Sequence, residues 1–117
     1  MLRILVGSRA PSGELRVWLD GKRLTPERSQ KLRNHSPDGF NAGYLGSGPA
    51  QLALAVLLAC GWSDEEALKQ YQRFKQEHIA KLEGDEFVHE FNAERWAVQV
   101  GSRRKNGLRG GLPGQLR

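Results

Sequence analysis

The stretch Gly43-Tyr44-Leu45-Gly46-Ser47-Gly48-Pro49-Ala50-Gln51-Leu52-Ala53-Leu54-Ala55-Val56-Leu57-Leu58-Ala59-Cys60 decides how this chain folds. From Pro49 to Cys60 nearly every side chain is apolar. The spacing predicts a helix with no solvent face, which other elements must cover on most sides. Ahead of it Gly43, Gly46 and Gly48 fall two or three residues apart, a spacing that allows tight turns and points several amides to one side. Pro49 suits the first position of a helix, where its missing N–H has no intrahelical partner, and Ser47 or Gly48 is then the cap. Gly61 is the expected stop.

A glycine-rich loop running into a helix N-terminus offers free N–H groups and the positive end of the helix dipole to an anion. It also serves as an ordinary turn and cap. The Gly-Lys-Ser/Thr ending of a phosphate-binding loop is missing, and Gly43-x-x-Gly46-x-Gly48 is not the dinucleotide fingerprint. Upstream, Asn34-His35-Ser36-Pro37-Asp38-Gly39-Phe40 is rich in residues that bond their own backbone, so His35 is expected to pin the loop. The connection up to Gly48 is longer than most in a compact domain, which favours a binding or interaction role. The candidate ligand-binding set is therefore His35, Ser36, Tyr44, Gly46, Ser47, Gly48 and Gln51, with an anionic small molecule such as a nucleotide as the expected ligand.

Asn34 to Pro37, Gly39, Phe40, Gly43, Tyr44 and Gly46 to Ala55 together resemble the signature of DUF6166, a family of small prokaryotic and phage proteins. The resemblance is specific over about twenty residues. A short β-rich N-terminus and the following Tyr71-x-x-Phe74-Lys75 helix also fit it. Ala42 stands where members often carry Trp, a departure that implies an opened or reshaped pocket. The resemblance implies a fold and a location for the interesting surface. It brings no activity with it.

Working outward, Leu2, Ile4 and Val6 alternate with their neighbours, as do Leu15, Val17 and Leu19, which is the period of half-buried strands. Asp20-Gly21 is a hairpin signal with Lys22-Arg23-Leu24 as a short partner. Thr25 to Arg33 is expected to make one loose helical turn. Beyond Gly61, Ser63 caps a second helix, with Glu66 completing a capping box and Asp64 and Glu65 suiting the dipole. Its apolar stripe runs through Ala67, Leu68, Tyr71, Phe74, His78 or Ile79, and Leu82 to a stop at Gly84. Phe87, Phe91 and Trp96 are apolar anchors, and the alternation over 95–100 predicts a terminal strand. The expected fold is α+β: a small antiparallel sheet of three or four strands, two helices packed on one face, and a long glycine-rich loop leading into a buried central helix. Trp18, Trp62 and Trp96 are expected in the core or at its rim.

The 117 residues suffice for one domain, expected over 1–100. Residues 101–117 hold Arg103, Arg104, Lys105, Arg109 and Arg117 with no acid, so the net charge of +5 resides there and the body is neutral. That glycine-rich segment is expected to be a flexible tail giving at most weak contact with nucleic acid. Cys60, the single cysteine, excludes an intrachain disulfide and is expected to be buried. The N-terminus is too short for a signal peptide and Ala50–Cys60 too short to span a bilayer, so a soluble cytoplasmic protein is expected. His35, His78 and His89 are too scattered for a metal cluster, and neither a metal nor a cofactor is expected. Asp38, His35, Ser36, Tyr44 and Ser47 can converge, yet neither serine lies in a Gly-x-Ser-x-Gly elbow. Catalysis is the least favoured class. The alternative to a ligand-binding protein is a protein-interaction module that uses the loop surface and the second helix, with Lys69, Arg73 and Lys81 as test positions.

Overall fold

Helix α2 (Ser47–Ala59) is buried from Gly48 through Leu58, and the other elements are arranged to cover it. The computed structural model describes residues 2–93. Ile4–Glu90 forms one compact unit, and the described residues outside it are 2–3, at the start of the first strand, and 91–93, at and just after the end of the last. The boundary expected at residue 100, the strand expected over 95–100, Trp96 and the tail all lie outside the described residues.

Strands β1 (Leu2–Arg9), β2 (Leu15–Leu19), β3 (Lys22–Leu24) and β4 (Glu86–Asn92) make an antiparallel sheet in the order β3-β2-β1-β4. Leu5 pairs with Leu19, Val6 with Trp18 and Gly7 with Val17, while Trp18 pairs with Arg23 across the second ladder. Asp20 and Gly21 both take positive φ, 53° and 82°, the turn whose twist matches a two-residue hairpin. The Asp20 carboxylate also accepts the Ile4 amide at 2.8 Å. Leu5, Leu15, Val17 and Leu19 are buried on the inner face, in keeping with the period of two read from the sequence.

Short helix α1 (Glu27–Leu32) stands where one loose helical turn is expected. Helix α2 begins at Ser47, with Gly46 as an extended cap residue. The helix start is thus earlier than Pro49 suggests. Proline at the third helical position is still within the first turn, where no intrahelical partner awaits its missing N–H. At the other end Gly61, at φ 95°, and Trp62 donate to the carbonyls of Leu58 and Leu57 at 3.0 and 3.1 Å, the paired closure of a Schellman motif. Cys60 at the C-cap is half-exposed rather than buried, because the cap carries it off the covered faces.

Helix α3 (Asp64–Glu77) is capped by Ser63, whose Oγ accepts the Glu66 amide at 3.1 Å. Ala67, Tyr71 and Phe74 are its buried residues, and Lys69, Gln72, Arg73 and Gln76 are exposed. The stripe read as one helix to Leu82 is instead broken at His78. A 3-10 turn, Ile79–Lys81, follows and leaves Ile79 and Leu82 buried. In this turn the Ile79 carbonyl accepts both the Leu82 amide at 3.3 Å and the Gly43 amide at 3.0 Å, which ties the loop to this corner.

Strand β4 takes the acid-rich segment that held only apolar anchors in the sequence. Phe87, His89 and Phe91 are its less exposed positions and alternate with exposed Glu86, Val88 and Glu90. Trp18 and Trp62 are half-buried, at the rim of the core.

Candidate binding cleft

Three segments meet beside the start of α2 and enclose an open cleft of about 490 Å³. The β1–β2 turn contributes Ser12, Gly13 and Glu14; the loop contributes Ser36 and Asp38 to Asn41; Tyr44, Ser47 and Gly48 close it from the helix side. A second hollow of about 220 Å³ shares Glu14, Asp38, Gly39 and Phe40 with it.

Two buried or part-buried polar groups hold these segments in place. Gln51, 0% exposed, uses its whole amide: Oε1 accepts from the His35 and Ser36 amides at 2.7 and 3.0 Å, and Nε2 donates to Ser29 Oγ and the Arg33 carbonyl at 2.8 and 3.1 Å. A buried amide left unbonded would cost several kcal/mol, roughly 2–7 by transfer scales, so this set fixes where the loop crosses α2. The Arg9 guanidinium donates to the Gly13 carbonyl at 2.9 Å and to Asn41 Oδ1 at 2.8 Å, and lies 3.3 Å from the Asp85 carboxylate. It thereby joins the turn, the loop and the start of β4.

The glycines answer to close approach. A side chain at Gly43 would meet the Leu82 carbonyl at 2.8 Å and would require φ near 90°. At Gly48 it would meet the Asn41 Cβ at 2.6 Å, and at Gly46 it would run into the Tyr44 ring. Gly43 and Gly48 therefore have a packing reason to be glycine, whereas at Gly46 the neighbour is the exposed Tyr44 ring, a movable side chain.

Of the seven residues proposed from the sequence, the cleft brings together Ser36, Tyr44, Ser47 and Gly48. Gly46 and Gln51 are outside its lining, Gln51 beneath the loop with its amide already engaged. His35 is also outside. Its Nε2 shares a 2.5 Å hydrogen bond with the Tyr71 hydroxyl, which pins the loop to α3. Burial, then the nearby charges of Arg33 and Lys75, hold the His35 pKa below the ordinary histidine value, so its neutral form is favoured.

These elements, from the middle of β1 through the cleft to β4, fall within residues 5–99, which match DUF6166, a family of unknown function. The chain belongs to the DUF6166 family. No curated protein and no solved structure matches it. The DUF6166 match takes in both walls of the cleft, because the turn after β1 and the loop before α2 lie inside the matched range.

Sequence reasoning missed Arg9, Glu14, Phe40 and Asn41 in this part of the DUF6166 fold. Arg9 and Glu14 are more than twenty residues away in sequence from Ser36 to Asn41, and no local pattern joins the two. Among the described residues, the charged side chains that line the cleft are Glu14 and Asp38, with no Lys or Arg. Arg16 stands 3.2 Å from Glu14 at an exposed position and partly offsets it. Beside the cleft Tyr44 and Leu45 are 49% and 66% exposed. No helix among the described residues is long and apolar enough to cross a membrane.

Proposed function

We propose that this DUF6166 protein is a non-catalytic interaction module that holds a segment of a partner polypeptide across the cleft, with Tyr44 and Leu45 as apolar anchors. The observation that carries this reading is the pairing of an open polar cleft with two adjacent, largely exposed apolar side chains at the same loop. Tyrosine is favoured as an anchor because it offers a large rigid area with a polar tip and little conformational entropy to lose. The serine hydroxyls and carboxylates of the cleft supply donors and acceptors for a peptide backbone and for basic side chains.

The reading with an anionic small molecule keeps one specific support. Ser47 and Gly48, the first two residues of α2, line the cleft, and the start of a helix favours negative charge. Against it stand the Glu14 and Asp38 carboxylates, which a phosphate would face without a lining cation.

Panning a displayed peptide library on the immobilised full chain separates the two. Enriched peptides should carry basic and apolar residues, and should lose binding to Tyr44→Ser/Leu45→Ser while keeping it for Lys69→Glu/Arg73→Glu/Lys81→Glu. Peptides indifferent to the loop change would overturn the proposal. So would a phosphate or nucleotide that binds by calorimetry and is lost on Gly48→Leu in a folded variant.

A further inference from the structure

The outer face of the sheet departs from the polar surface that an antiparallel sheet with one covered face ordinarily shows. Successive side chains alternate between faces, so the neighbours of buried Leu5, Val17 and Leu19 point outward. Among them Ile4 is 38% exposed, and on β4 Val88 is 71% exposed. The paired register sets Arg23 beside Trp18 and Trp18 beside Val6. On the other side of β1 the Arg9 amide donates to the Asp85 carbonyl at 2.8 Å, and the Phe87 ring lies over Gly7. Counting along both strands from that bond puts Val6 beside Val88. One row, Arg23-Trp18-Val6-Val88, therefore crosses all four strands.

Charge is divided across this row. On β4 Val88 stands between Glu86 and Glu90, both exposed and neither in an ion pair among the described residues. On the opposite edge the Arg23 guanidinium lies 5.4 Å from the centre of the Trp18 ring. Of the acids nearer that edge, Glu14 pairs with Arg16, Asp20 accepts the Ile4 amide, and Glu27 is held by the Thr25 side chain while feeling the charge of Arg23.

We propose that this face is the interface of a symmetric homodimer, two copies stacked sheet on sheet about a two-fold axis running along the strands. Such an axis lays β4 of each copy over β3 of the other. Arg23 then meets the partner's Val88 between the partner's Glu86 and the partner's Glu90, and Trp18 meets the partner's Val6. Symmetry repeats both contacts. An axis across the strands would instead set the β4 glutamates against their own copies, so the charge pattern selects one of the two stackings. The same glutamates disfavour a nucleic acid on this face. Four strands spaced about 4.8 Å apart make a face at the small end of specific interfaces, so the dimer depends on concentration.

Sedimentation velocity of the full chain over a hundredfold concentration range tests this. Wild type should pass from monomer to dimer. Arg23→Glu and the double change Glu86→Lys/Glu90→Lys should each weaken association at least tenfold. Mixing the two in equal amounts should restore it, because both edges of the mixed dimer are again complementary. Val88→Lys, at an exposed position, should abolish the dimer, and its thermal midpoint should equal that of wild type at concentrations where wild type is monomeric. Wild type that stays monomeric throughout overturns the proposal, as does a dimer indifferent to Val88→Lys or a mixture no stronger than its components. A monomeric wild type destabilised by Val88→Lys also overturns it, in favour of cover from within the same chain. These outcomes are independent of Tyr44 and Leu45, so this proposal and the peptide-binding one can fail separately.

Discussion

At the scale of single residues, Gln51 matters for what it builds. It is the one polar side chain within the apolar length of α2, and its four hydrogen bonds reach α1, the residue after it and the loop. Gln51→Leu would fill the space and strand the His35 and Ser36 amides in a part-buried setting. At 1–3 kcal/mol for each unsatisfied group, a loss of about 3 kcal/mol is expected, or a fall of about 15 °C in Tm for a domain of this size. Thermal denaturation followed by circular dichroism measures it, and a shift within a degree or two would show that the amide network carries little weight. Gly43→Ala is expected to cost about 2 kcal/mol or more, the left-handed backbone alone accounting for about 1–2 and the Leu82 carbonyl for the rest. Gly39→Ala is the matched control: φ is again positive, 108°, but nothing lies within 4 Å of the added carbon, so only the backbone cost should appear in its denaturant midpoint.

Between elements, the contact most open to adjustment is the one joining the end of α3 to β4. His78 Nδ1 and His89 Nε2 lie 3.0 Å apart, and the His78 ring stacks on Phe74. Burial lowers both histidine pKa values, and for His78 the neighbouring His89 adds to the effect. Groups that resist protonation when folded take up protons more readily when unfolded. Their contribution to stability is therefore fully present above the ordinary histidine value of about 6.5 and declines as pH falls below it. His35 shifts in the same direction. Urea midpoints between pH 8 and pH 5 should fall steadily on the acid side, and His89→Gln should flatten part of that slope. A flat profile in the wild type would remove the pair from the account.

For the whole molecule, charge and shape are held in different places. The described fold carries the cleft and the two-sided sheet, whereas the net charge of +5 belongs to residues 101–117. Any binding to DNA should therefore follow those residues. Five basic side chains predict a slope of about −4.5 in log affinity against log salt concentration. Ending the chain at residue 100 should eliminate retention on double-stranded DNA at low salt without altering the thermal midpoint. Retention that survives the deletion would place the contact on the folded body.

The sequence by itself determined the elements whose cause is local. The run over Ala50–Leu58, apolar but for Gln51, reads as a covered helix, Ser63 could cap α3 through an amide three residues on, and Asp20-Gly21 could supply the positive φ angles of a hairpin. Strand β4 was hidden because its inner positions include a histidine and its outer ones a valine, which blurs the period of two. The break at His78 was equally hidden, since a carbonyl taken by Gly43 leaves no mark in the local pattern. Only the tertiary structure decided which loop residues face the cleft, because that choice depends on Arg9 and Gln51 bonding to segments far away in sequence. Helical and strand periods act over a few residues, while the cleft is made by hydrogen bonds between distant parts of the chain, and those exist only once the chain has folded.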